Sequence, residues 1–204
     1  MGLFTSAANR RRVVVHVAVV AAVLVAVYLL GQHYLPFLRT PERFRTWLLD
    51  FGPWAPVVFV LVYALQVVVA PIPGQVVGVA SGYVFGVWYG TLYSMIGTFI
   101  GTTIAFAIAR RYGRPYVERF VAPEWIERFD DEVLDRGLPV IFGFFLVPGL
   151  PDDVLCFVAG LSKIAMPVLV VTAMVGRFPS TLLFNLAGAQ VADAQLTAAA
   201  TLLG

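Results

Sequence analysis

The chain has 204 residues, 60% apolar and 13% charged, with a formal net charge of +2 and a mean hydropathy of +0.86. A soluble domain carries roughly 25% charged residues, and a core of this size could not hide so much apolar surface. That excludes soluble enzymes and nucleic-acid binders, and also disorder, which needs low hydrophobicity and high net charge. One cysteine, Cys156, excludes an internal disulfide and a multi-cysteine metal site, and two histidines, His16 and His33, leave little for histidine catalysis. An all-α polytopic membrane protein remains.

Residues 1–50 open with Arg10, Arg11 and Arg12, followed by an apolar run from Val13 to Leu30. A cleaved signal peptide starts the same way, but its apolar core is about 7–15 residues and ends at a small-residue site. This run is longer and ends in Leu29-Leu30-Gly31-Gln32-His33, which favours a retained signal-anchor helix. Pro41 to Leu49 reads as a short interfacial helix with Trp47 as its anchor.

Residues 51–190 read as the membrane domain. Positions 51–109 contain no Asp, Glu, Lys, Arg or His, and at ~20 apolar residues per crossing they hold more than one pass. Trp54 to Ala70 descends, Ala70-Pro71-Ile72-Pro73-Gly74-Gln75 reverses the chain, and Val76 to Gly86 returns. Val87 to Ala109 is a full span of ~34 Å. Residues 110–137 carry half of all the charges, including Arg110, Arg111, Arg114, Arg119, Arg128 and Arg136; they form a water-exposed loop, helical in part. Residues 138–163 repeat the first pattern around Pro148-Gly149-Leu150-Pro151-Asp152-Asp153, and residues 166–190 make the last span. Residues 191–204 are a tail that contains no Lys or Arg. The arginines place the N-terminus and the 110–137 loop on the cytoplasmic side of the cell membrane.

Proline removes an intrahelical hydrogen bond, so both proline-rich stretches break a helix at membrane depth, which is tolerated only inside protein or beside water. The breaks align at an offset of 78, pairing Pro73 with Pro151, Gln75 with Asp153 and Gly82 with Gly160. Paired interruptions in two halves are the pointer to a transporter site. They predict two opposed re-entrant hairpins in an inverted repeat, their tips meeting near the midplane. A rival reading makes Trp54–Ala70 a complete span; the hairpin keeps the signs of both loops consistent. Gly86, Gly90, Gly97 and Gly101 form a small-residue face for close helix packing.

The blocks Pro71-Ile72-Pro73-Gly74-Gln75, Gly82-Tyr83-Val84-Phe85-Gly86 and Arg110-Arg111-Tyr112-Gly113-Arg114 resemble the first half of the VTT-domain family, the SNARE-associated Golgi protein family of the DedA superfamily. Pro148 to Asp153, Ala159-Gly160-Leu161-Ser162 and Gly176-Arg177-Phe178-Pro179 resemble its second half. The resemblance implies opposed re-entrant hairpins and lipid translocation, either phospholipid scrambling or ion-coupled flipping of polyprenyl phosphate. The chain departs from many relatives in having Gln75 at an acidic position, and Phe144-Phe145-Leu146-Val147 where they carry an arginine.

The candidate substrate or coupling residues are Gln75, Asp152, Asp153 and Arg177, with Pro71, Pro73, Gly74, Pro148 and Pro151 shaping the tips. An intramembrane charge costs ~2.5–3.5 kcal/mol on insertion scales, so these three charges must pair or face water. Asp152 could equally cap the returning half-helix, Arg177 could be a structural ion-pair partner or hold a lipid phosphate through its planar fork, and Gln75 could be a turn residue. Arg110, Arg111 and Arg114 read as positive-inside anchors or head-group contacts, and Lys163 as a snorkelling anchor. Carrying a lipid dianion inward against 100 mV costs ~4.6 kcal/mol, which two accompanying protons would cancel.

The expected partners are membrane lipids and protons, without nucleic acid, metal or cofactor; a homo-oligomer stays open. Ser81 has no nearby histidine to make it a nucleophile, so no enzyme activity is expected. The alternative function is a non-transporting structural or assembly protein, for which Asp152, Asp153 and Arg177 would matter only to folding.

Overall fold

The computed structural model describes residues 11–16, 18, 19, 22, 23, 25, 26, 29, 41–69, 74–147 and 152–203. These are almost entirely helical, with no strand among them. The tip residues Pro71, Pro73, Pro148 and Pro151, and Arg10, lie outside the described residues. The described positions between Arg11 and Leu29 are helical and largely exposed, and His16 meets Tyr116 across a 3.0 Å contact between Nδ1 and the phenol oxygen.

The helices are α1 (Pro41–Leu49), α2 (Ala55–Val69), α3 (Gly74–Ile108), α4 (Arg114–Phe120), α5 (Pro123–Glu132), α6 (Leu138–Leu146), α7 (Asp152–Gly160) and α8 (Met166–Leu203). Helix α1 is less superficial than an interfacial helix, because Phe44 and Leu48 are buried with Phe59 and Tyr63 of α2. Its Trp47 ring is tilted against Phe44 and edge-on to Phe51. The charged stretch folds into α4 and α5 between two wide π-helical turns, Ala109–Gly113 and Val133–Gly137. The C-terminal residues continue α8 to Leu203, consistent with their wealth of alanine and leucine, strong helix formers.

Helix α3 is two helices. Gly86 has φ 74° and ψ −177°, a conformation open essentially to glycine alone, and it divides α3 into an arm (74–85) and a long segment (87–108). The chain reverses there. Phe85 of the arm packs on Phe59 near the start of α2, whereas Gly74 at its other end faces Gln66 near the end of α2. Arm and α2 are therefore antiparallel. The 87–108 segment runs parallel to α2, with Gly97 against Tyr63 and Gly101 against Ala64 and Val67.

Glycines set these approaches. A Cβ on Gly97 would stand 2.7 Å from Tyr63 Cβ, and one on Gly101 2.7 Å from the Ala64 carbonyl oxygen. The arm crosses α8 still more tightly: a Cβ on Gly82 would overlap the Asn185 backbone, and one on Gly188 the Val79 carbonyl. The second half also packs through glycines. Phe145 of α6 packs on Gly176 of α8, and Gly160 of α7 packs on Phe106 of the 87–108 segment and on Ala109 just beyond it. In each half the first arm lies on its own long helix and the second arm on the other half's. Gly82 and Gly160, the pair aligned by the offset of 78, both make the crossing contact.

Three helices are long and apolar enough to cross a membrane: Gly52–Val69, Gly74–Phe120 and Met166–Ala194. Exposed Trp54, Trp88 and Tyr89 mark one end of the bundle, and exposed Tyr112 and Trp125 the charged end. Trp88 and Tyr112 are separated by ~36 Å of helix, matching a hydrocarbon core of ~30 Å with aromatic side chains at both interfaces.

Candidate functional site

Arg177 lies ~16 Å along α8 from Met166, on the face toward α3 and α7, and each of its guanidinium nitrogens donates to protein. Nε donates to Asp152 Oδ2 at 2.6 Å, Nη2 to Asp153 Oδ1 at 2.8 Å and Nη1 to Thr102 Oγ1 at 3.1 Å. The Cys156 sulfur lies 3.5 Å from Nη2, and the Phe145 ring lies under the guanidinium at 4.9 Å. The planar fork makes this possible, since Nε and Nη2 serve adjacent carboxylates of α7 while Nη1 reaches α3.

Asp152 and Asp153 open α7, where negative charge is favoured by the helix dipole. Asp153 has a second partner that the sequence reading missed: Gln66 Nε2 donates to its Oδ2 at 2.8 Å. Gln66 is buried near the end of α2, and its own carbonyl oxygen Oε1 has no partner. Its signal in the sequence was a lone amide inside the apolar run Leu65-Gln66-Val67. Tyr63, one turn earlier, and Thr98 of α3 line the same cavity.

These groups line a cavity of about 50 Å³ with Gly74, Gln75, Val147, Ser180, Thr181 and Phe184. That volume holds a few waters and no lipid head group. Gln75, Asp152, Asp153 and Arg177, singled out from sequence, thus come together at one place, where α2 ends and the arm and α7 begin. With both carboxylates ionised the cluster carries a net charge of −1.

Pro179 interrupts α8 two residues beyond Arg177 and cannot donate to the carbonyl four residues back. The Ser180 hydroxyl donates to the Arg177 carbonyl at 2.9 Å. The arginine therefore stands where the α8 backbone is loosened.

The arginines at the charged end do different work. Arg110 donates to the carbonyls of Ser162, at 2.9 Å, and Ile164, at 2.5 Å. Arg114 donates to the Leu161 carbonyl at 2.9 Å and grips both oxygens of buried Asp130 at 2.7 and 2.8 Å. These are the orphan carbonyls at and beyond the end of α7, where cations are favoured. Lys163 joins Asp130 at 3.0 Å. The Arg114 guanidinium holds the Asp130 carboxyl below its ordinary value of 3.8, the Lys163 ammonium adding to the effect and burial opposing it. Arg111 is exposed. Among the described residues no group of His, Cys, Asp and Glu could hold a metal ion.

No curated protein and no solved structure matches the chain. The VTT-domain profile matches residues 72–190, more than half of the sequence and all of the site except the end of α2. The chain is a membrane-type member of the VTT-domain family, the SNARE-associated and DedA family.

Proposed function

We propose that the chain is a lipid transporter of the DedA type, a protein without enzymatic chemistry that moves lipid head groups, polyprenyl phosphate or phospholipid, between leaflets with protons as the coupling ion. The observation that carries this is the net-negative Asp152–Arg177–Asp153 cluster, buried where two helix pairs meet. A purely structural cluster needs one carboxylate per guanidinium; here there are two, so one is free to exchange a proton without leaving the arginine unpaired. Gln66 suits both states. Its amide nitrogen donates to the Asp153 carboxylate as observed, and after a turn of the amide its orphaned oxygen would accept from the protonated acid.

The reading includes two opposed re-entrant hairpins. Helices α6 and α7 have nine residues each, ~13 Å, less than half of a ~30 Å hydrocarbon core. Both belong to a core that also contains Ile164 and Met166 at the charged end, and both approach Arg177 at the other. Val67, two residues before the end of α2, packs on Gly101, ~12 Å short of Ala109, which supports a hairpin over a complete span. The crossed packing of the second arms supports the inverted repeat, with the N-terminus on the cytoplasmic face of the cell membrane. The cavity is far smaller than a head group, so this is a closed state, and transport requires the tips to part.

The test is lipid movement in proteoliposomes, with labelled polyprenyl phosphate and labelled phospholipid in parallel, with and without a pH gradient. Gradient-driven movement of polyprenyl phosphate that is lost in a well-folded Asp153→Asn variant supports a coupled flippase. Gradient-independent movement of all lipids makes the protein a scramblase. No movement of either lipid by folded wild-type protein overturns the transport reading and leaves an assembly role.

A further inference from the structure

Among the described residues three buried side-chain oxygens have no hydrogen-bond partner: Gln66 Oε1, Thr91 Oγ1 and Asn185 Oδ1. They do not scatter. All three lie along one seam, between the 87–108 segment on one side and the arm, α2 and α8 on the other. An orphaned buried polar atom costs ~1–3 kcal/mol, so three in one line call for an explanation that three dispersed ones would not.

The seam is polar along its whole length. Thr91, Ser94, Thr98 and Thr102 recur on one face of the 87–108 segment, and all four are buried. From Thr91 to Thr102 they extend ~16 Å, from near the Gly86 break to the guanidinium of Arg177. Across from them stand Ser81 of the arm and Asn185 of α8. Ser94 donates to the Ser81 hydroxyl at 3.3 Å, Ser81 donates to the Gly90 carbonyl at 3.1 Å, and Asn185 donates to the Thr181 carbonyl at 2.8 Å. Thr98 and Thr181 line the cavity that also contains Asp153, so polar side chains recur from the Gly86 end to that carboxylate.

Close helix packing alone would not choose these residues. Glycine and alanine give the same approach without a hydroxyl to satisfy. A hydroxyl in a membrane helix ordinarily bonds back to its own chain, as Thr103 does to the Phe99 carbonyl at 2.7 Å. Ser94 instead reaches across to another segment, and Thr91 reaches nothing.

We propose that this seam is a hydrated route between the Gly86 end of the bundle and Asp153. Water threads the hydroxyl face when the arm moves on Gly86, satisfies the three orphaned oxygens, and carries a proton to the Asp153 carboxylate. The groups facing that carboxylate are Arg177 from α8, Asp152 and Cys156 from its own helix, Gln66 and Tyr63 from α2, and Thr98 and Thr102 from α3. The proton's purpose rests on the transport reading; the route itself does not.

The test is single-cysteine accessibility of the full chain in membrane vesicles, in a Cys156→Ser background, with silver ion as the water-borne probe. Thr91→Cys and Ser94→Cys are compared with Ala105→Cys, buried beyond the site, and with lipid-facing Leu92→Cys. The expected result is reaction of Thr91→Cys and Ser94→Cys at least tenfold faster than of either control, when silver is added on the Gly86 side. Reaction no faster than Ala105→Cys, or faster from the charged-loop side, overturns the route. Fast reaction in protein that moves no lipid leaves the route standing and removes only the transport reading.

Discussion

Replacing Arg177 by glutamine tests the energetics of the site directly. The substitution removes two charge-assisted hydrogen bonds, to Asp152 at 2.6 Å and Asp153 at 2.8 Å, each worth about 1.5–3 kcal/mol. It also leaves two neighbouring carboxylates without a counter-charge, and breaking a buried pair in this way costs about 3–5 kcal/mol. Asp153→Asn alone is much milder, about 1 kcal/mol, because Arg177 can still donate to the amide oxygen and the Gln66 amide can turn to accept from the new NH₂ group. In the Arg177→Gln background the sign of Asp153→Asn reverses. There it removes like-charge repulsion and raises stability, giving a coupling of about 2 kcal/mol or more. Thermal unfolding in detergent micelles at neutral pH reads both effects. At roughly 2–4 °C per kcal/mol for a chain of this size, Arg177→Gln lowers Tm by on the order of 10 °C. The reasoning is refuted if Arg177→Gln lies within about 1 kcal/mol of wild type, or if Asp153→Asn is equally destabilising in both backgrounds.

Gly82→Ala and Gly188→Ala drive a methyl group into backbone on the facing helix and abolish the folded monodisperse protein, whereas Gly143→Ala, with nothing within 4 Å, leaves Tm unchanged or raises it; size-exclusion profiles and Tm read the difference. Gly86→Ala meets no neighbour but forces an L-residue to φ 74°, and costs about 1–3 kcal/mol in the same unfolding assay. Asp130→Asn weakens the Arg114 and Lys163 pairs and destabilises by about 2 kcal/mol at pH 7. Because the Asp130 pKa is lowered on folding, its contribution is fully present above the unfolded value and is lost as pH falls through the folded one. The wild-type and Asp130→Asn stabilities therefore converge only below pH 3.8, the ordinary value, and a constant gap down to pH 3 would contradict the pairing.

Much of this architecture was legible because membrane sequence separates its signals. Charge-free and charge-dense blocks give the order of spans and loop, and prolines inside apolar runs mark where helices stop. The Asp152, Asp153 and Arg177 cluster was legible for the same reason, since three charges in an apolar setting have few partners except each other. Gln66 was not. A single amide in an apolar helix has many uses, and only the fold of α2 shows it reaching a residue 87 positions away. The attachment of Arg110 and Arg114 to the end of α7 was equally invisible, because an arginine at a helix end reads the same whether it faces a phosphate or a carbonyl. Thr91, Thr98 and Thr102 passed unnoticed because neutral hydroxyls barely alter hydropathy, and Ser94 read only as a small residue completing the glycine row. Their common burial appears only once α8 and the arm are in place.

The crossed packing of the two halves also orders the events of synthesis. The arm containing Gly82 leaves the ribosome about 100 residues before Asn185 and Gly188, the positions it packs against. At about 5–20 residues per second, that is an interval of several seconds in which α2 and the 87–108 segment can associate while the arm's glycine face has nothing to meet. Neither half can finish alone, because each supplies the surface on which the other's second arm comes to rest. The α7 arm finds its surface on the 87–108 segment as soon as it is made, so assembly closes late on the other arm, when the last helix arrives to receive it.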